Sequence, residues 1–192
     1  MARPKAFAEQ DALHAAMETF WRKGYHQTSM QDLVETMGIN RASLYDTFTD
    51  KHTLYKQALE RYRDLNRADM TEALAGADTA RAGVQAIFNR IVQETLDDAD
   101  CRGCFLTNAT LEMLPHYADV RPILDQYLRQ LELTFRTLLL TGVDSGEFRA
   151  DLPIDETVTY LIGQAVGLRV LGKTNPNANT LNAVVTMAMR VL

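Results

Sequence analysis

Apolar residues recur every three to four positions along nearly the whole chain. Leu13, Ala16, Met17, Phe20 and Trp21 mark one face near the start, and Leu54, Ala58, Leu59 and Tyr62 mark another further on. That spacing matches the 3.6-residue turn of an α-helix, and no run of strict two-residue alternation bounded by turn residues competes with it. The pattern predicts an all-α protein.

The helix ends are legible too. Gly24 follows "FWRK" as a stop. Thr28 or Ser29 then caps the next start, with Gln31 or Asp32 as the capping-box partner. Asp50 reads as a further N-cap, and "TNPNANT" separates the last two helices. The punctuation predicts helices over about 7–23, 29–36, 40–47, 51–73, 80–97, 102–114, 117–141, 155–172 and 178–191. The first three are read as short and closely spaced, whereas the later helices are longer with broader apolar faces. Residues 1–50 are therefore expected to form one domain and 51–192 a second, joined through the helix at about 51–73.

The stretch "TSMQDLVETMGINRASLYDTFTDKHTLY", residues 28–55, carries the most specific signal. Two short helices joined through Gly38 fit a helix-turn-helix, packed through Leu33, Val34, Ile39, Leu44 and Phe48. Its second helix, from Asn40 or Arg41 to Phe48, would enter a major groove N-terminus first. Polar groups cluster where DNA would lie. Arg41 and Ser43 face outward near that start, beside Ser29 and Asn40. Thr28 and Tyr45 carry hydroxyls suited to phosphate, and Lys51 opens the next helix, where charge and free backbone N–H groups both attract an anion. Each has a plainer alternative: Arg41 as a solvated charge, Tyr45 as a packing tyrosine.

Charge refines this reading. The net charge of −5 argues against a nonspecific nucleic-acid binder, but residues 1–67 carry ten Lys/Arg against nine Asp/Glu while the remainder carries ten against sixteen. The acidic load sits in the second part, which leaves the first free to approach a polyanion. No apolar run approaches the ~20 residues that span a bilayer, and "MARPKAFAEQ" lacks a secretory apolar core, so no membrane is expected and the cytoplasm is the expected location.

The linked string of Gly24, "T-S-M-x-D-L", "M-G-I-N-R-A-S-L-Y-x-x-F" and "D-K-x-x-L" resembles the TetR/AcrR family of bacterial transcriptional regulators over about residues 10–60. Val34 and Ala42 depart from it, standing where many relatives carry alanine and glycine. The resemblance implies an N-terminal three-helix DNA-binding domain followed by a C-terminal helical bundle for dimerisation and effector binding. It implies a homodimer on a palindromic double-stranded DNA operator, most often a repressor released by a small-molecule effector, with no cofactor. The last two helices would pair with their mates, and Gly163, Ala165, Val166, Gly167, Leu168, Leu171, Ala183, Val184, Met187 and Val191 suit close approach. Expected effector-lining residues are Phe88, Ile91, Phe105, Asn108, Leu111, Glu112, Tyr127 and Tyr160, although most serve equally well as core. Asn108 and Glu112 are the more telling, polar at i, i+4 within an apolar segment.

Cys101 and Cys104 leave two readings open. Zinc would need more ligands than His116 alone supplies nearby, so no metal is expected. A redox or electrophile-sensing pair would have Cys104 as sensor and Cys101 as resolving thiol. In the other reading Cys104 is a small packing residue. An enzyme is not expected: Glu112 and His116 form the one candidate catalytic pair. Arg41, Tyr45 and Lys51 argue against an adaptor that binds only protein.

Overall fold

The computed structural model describes residues 3–174 and 176–192. Among these, the chain forms α1 (Arg3–Lys23), α2 (Met30–Met37), α3 (Arg41–Phe48), α4 (Lys51–Ala75), α5 (Ala80–Asp97), α6 (Phe105–Glu112), α7 (Arg121–Asp144), α8 (Ile154–Gly172) and α9 (Ala178–Met189), with a 3₁₀ turn at Ala118–Val120 before α7. The all-α expectation and nearly every helix are met. Asn175, in the stretch expected to separate the last two helices, lies outside the described residues.

The chain divides into two compact units. One comprises the residues up to Asn66 together with Asn108–Leu124, the other Arg67–Thr107 together with Asp125–Leu192. In the first, Ala16, Met17 and Phe20 of α1 are buried, as are Leu33 of α2, Leu44 and Phe48 of α3, and Leu54, Tyr55, Ala58 and Leu59 of α4. These are the positions that repeat at helical spacing, so the removal of apolar area from water drives the assembly. Val34 and Ile39, expected in this core, are only half-buried.

The second unit packs α5, α7, α8 and α9 around Phe88, Ile91, Phe135, Leu139, Leu161, Leu168, Leu181 and Val185. Two glycines set close approaches there. A Cβ on Gly83 would meet Leu138 at 2.6 Å, and one on Gly142 would meet the Phe148 ring at 2.2 Å. Any side chain at either position would displace its neighbour.

Three helix starts depart from expectation: α1 begins at Arg3 rather than about 7, α7 at Arg121 rather than about 117, and α6 later than expected. The sequence predicts a helix from about 102, but α6 begins at Phe105. Asp98 explains the delay, because its carboxylate accepts from Arg102 Nε at 3.0 Å and from the Gly103 amide at 2.8 Å. That wraps the chain into a loop in which Cys101 and Gly103 take positive φ values of 50° and 68°. Neither residue is in helical conformation, and α6 starts one residue after Cys104.

Candidate nucleic-acid interface

Local capping chemistry builds the helix-turn-helix. Gly24 ends α1 with φ +80°, and the Thr28 hydroxyl donates to the Gly24 carbonyl at 2.6 Å. Ser29 is the N-cap of α2, in a reciprocal capping box with Asp32: the Asp32 amide donates to Ser29 Oγ at 3.0 Å and the Ser29 amide to Asp32 Oδ2 at 2.8 Å. The partner is Asp32, not Gln31. Lys23 Nζ adds a 2.6 Å ion pair to Asp32, and these interactions hold its carboxyl well below the usual carboxylate range. Gly38 ends α2 in the left-handed region at φ 65°, as a tight turn requires.

Asn40 then caps α3, its Oδ1 accepting from the Ser43 amide at 2.8 Å. On α3, Leu44 and Phe48 point into the core while Arg41, Ala42, Tyr45 and Asp46 are exposed, and Tyr45 keeps 41% of its surface in water. The Arg41 guanidinium lies 5.8 Å from the Tyr45 ring centroid, one turn away, so the two outward groups form a stacked pair. Asp46 is exposed as well. Asp50 caps α4 by accepting from the Thr53 amide at 2.8 Å. The Lys51 ammonium sits 4.4 Å over the Tyr25 ring, and partial burial lowers its pKa.

The candidates for contact thus separate by burial. Arg41, Tyr45 and Ser29 are exposed, and Ser43 and Lys51 are half-buried. Thr28 is 1% exposed and spends its proton on a carbonyl, and the Asn40 amide oxygen is engaged at the helix start. Thr28 thus spends its hydroxyl proton inside the chain, whereas exposed Asn40 engages only its amide oxygen.

The expected effector set divides between the two units. Asn108, Leu111 and Glu112 belong to the first unit and Phe88, Ile91, Phe105, Tyr127 and Tyr160 to the second. Phe88 and Ile91 are core, and Phe105 and Tyr127 are buried. Leu111 is 67% exposed because α6 buries Leu106, Ala109 and neighbouring Met113 on its other face. Tyr160 is 37% exposed because the buried stripe of α8 runs through Val158, Leu161, Ala165 and Leu168. Leu111 and Tyr160 are surface positions within their units. Glu112 has both carboxylate oxygens occupied, Oε2 by the Tyr25 amide at 3.1 Å and Oε1 by the His26 amide at 3.0 Å. His116 is exposed, with its ring centroid 6.2 Å from that of His26.

Cys104 is 1% exposed and hydrogen-bonded with the Tyr127 hydroxyl, whose pKa is raised chiefly by burial. Cys101 is half-buried in the loop, and neither cysteine is in a disulfide. Sequence reasoning passed over Arg169, which is 6% exposed and donates from Nη1 to Glu94 at 3.1 Å. A single charge within the otherwise apolar "LIGQAVGLRVLG" was the available signal. It also passed over Asp119, which takes His52 Nε2 at 2.9 Å and Lys56 Nζ at 2.9 Å. Among the described residues, no helix is long and apolar enough to cross a membrane.

Comparison with known proteins places this geometry. Residues 12–58 match the family model described as bacterial regulatory proteins, tetR family, and residues 80–187 match the tetracyclin repressor-like C-terminal domain. The chain is 31% identical to the HTH-type transcriptional regulator YezE of Bacillus subtilis, over all of both chains. It is 26% identical to the HTH-type transcriptional repressor ComR of Escherichia coli, over 98% of this chain and 90% of that one. Among solved structures, a cysteine-substituted CifR complexed with 26bp double-strand operator DNA is 32% identical, covering 93% of this chain and 94% of that chain with a TM-score of 0.82.

Proposed function

This chain belongs to the tetR family of bacterial regulatory proteins, and from that premise we propose that it is a transcriptional repressor that binds a palindromic operator as a homodimer in the cytoplasm and is released by a small-molecule effector. The observation that carries the reading is the exposed face of α3, where Arg41 and Tyr45 stack outward from a helix whose N-terminus is capped from within by Asn40. A helix presented in this way can lie in a major groove with Arg41 toward base edges. Tyr45, Ser43, Ser29 and Lys51 then face phosphates, and α3 reads the duplex while its neighbours hold the register.

The first 50 residues serve as the DNA-reading domain and residues 51–192 as the dimerisation and effector domain. Gly163 and Gly167 support pairing through α8 and α9. Both are exposed one turn apart, and a Cβ on either would meet nothing within 4 Å. Val170 and Met187 add exposed apolar area on the same two helices, and Val191 just beyond α9. The effector acts within the helical second part, and because binding is reciprocal, operator lowers effector affinity by the factor that effector lowers operator affinity. The burial of Cys104 against Tyr127 favours packing over a thiol switch.

Gel retardation of the DNA upstream of its own gene tests the reading. Wild-type protein is expected to retard it. Arg41→Ala should weaken binding by about 1–3 kcal/mol and relax preference at one base pair, whereas Lys51→Ala should weaken all sequences alike and reduce the salt slope by about one. No retardation of upstream DNA or of any duplex selected from a random library overturns the reading.

A further inference from the structure

Two carboxylates flanking the segment between α6 and α7 hold both ends of the helix-turn-helix. At one end, Glu112 accepts the consecutive amides of Tyr25 and His26, one on each oxygen. Those amides follow Gly24, whose carbonyl holds Thr28, the residue before the N-cap of α2. At the other end, Asp119 accepts from His52 and Lys56, which lie one turn apart at the start of α4. Between them the Tyr117 ring stands 5.5 Å from Tyr25 and 5.0 Å from His52. The residues that read DNA lie between the Glu112 anchor and the Asp119 anchor, on α2 and α3 and at the first residue of α4.

We propose that Glu112 is a positioning residue for operator recognition, with Asp119 as its counterpart: the segment they bracket sets the angle at which α2 and α3 leave α1 and enter α4. The proposal rests on the operator-binding reading above and adds to it a part of the chain that touches no DNA. The clamp at Glu112 is charge-assisted and two-pronged, which fixes orientation as well as distance. A single-point contact would leave the turn free to rotate. A glutamine keeps the size of Glu112 but offers one acceptor and brings an NH₂ against an amide N–H, so the clamp is lost with little change in volume.

Positioning differs from plain stability in what it does to binding. Phosphate contacts tolerate a misdirected helix, whereas base-edge contacts do not. The experiment compares wild-type protein and Glu112→Gln on a duplex selected in vitro by the wild type and on a scrambled duplex of equal length, across a salt series. The expected result is a specific affinity roughly tenfold weaker, with nonspecific affinity and salt slope unchanged. Equal losses on both duplexes, or no loss on either, overturn the proposal. If Glu112→Gln fails to fold, Asp119→Asn at the other anchor is read on the same two duplexes, with the same outcomes deciding. A wild-type protein that selects no duplex overturns the operator reading itself, and this proposal with it.

Discussion

A Cβ on Gly24 would lie 3.0 Å from Oε2 of Glu112 and 3.1 Å from Oε1. Gly24 is therefore required twice, once for its φ of +80° and once because a carboxylate from another helix passes where a side chain would stand. Gly24→Ala is expected to lower unfolding stability by about 2 kcal/mol, the sum of left-handed strain and a disturbed clamp. Urea unfolding checks this, and an alanine variant as stable as the wild type would contradict it.

The caps separate folding from DNA binding. Ser29→Ala and Asn40→Ala each remove a side chain that accepts a helix-start amide, and each should cost about 1 kcal/mol in thermal or urea unfolding. Asn40→Asp keeps the cap but places a negative charge at the start of α3. Its stability should stay within about 0.5 kcal/mol of wild type while operator affinity falls. A variant that loses stability and keeps affinity would show that Asn40 does not stand near phosphate.

Asp119 provides a pH test. His52 and Lys56 face it from α4, and the hydrogen bond from Lys56, followed by that from His52, holds its carboxyl below the ordinary value. A depressed folded pKa stabilises the native state above the unfolded pKa of about 3.9, and that contribution is lost as pH falls through the folded value. The melting temperature of Asp119→Asn should thus lie below wild type at neutral pH and converge with it in acid. A gap that persists to about pH 2 would count against the ion pairs as its cause.

The two thiols should differ in access. A maleimide reagent followed by mass spectrometry is expected to modify half-buried Cys101 more than about tenfold faster than Cys104, which must wait for local opening. Tyr127→Phe deletes the hydroxyl bonded with Cys104 and should cost about 1 kcal/mol in stability. Fast labelling of Cys104 in folded protein would reopen the switch reading.

Gly167 offers a change in which two effects have opposite sign. Its Cβ space is open within the chain, so Gly167→Gln should strengthen α8 by about 0.5–1 kcal/mol through helix propensity. The same side chain would keep a second copy of α8 from close approach, and light scattering should show the dimer shifted toward monomer. A variant that remains fully dimeric would move the interface away from Gly167.

What could be read without coordinates was local. Helix periodicity, Gly24, Gly38, the Ser29 cap and the Asp50 cap act within one or two turns, and residues that near in sequence carry their own geometry. The outward face of α3 was legible for the same reason, since Leu44 and Phe48 define its buried side and leave Arg41 and Tyr45 opposite. The delayed start of α6 was not, because Asp98 competes for Arg102 and Gly103 through side-chain bonds that periodicity does not register. Glu112 was the instructive case. A polar residue one turn from Asn108 reads as a ligand group, and only the folded chain brings it to the amides of Tyr25 and His26. By itself the sequence determined the helices, their caps and the family, since these depend on neighbours along the chain. Tertiary structure alone decided which polar side chains were already engaged, because a hydrogen bond between residues far apart in sequence depends on distances that exist only after packing.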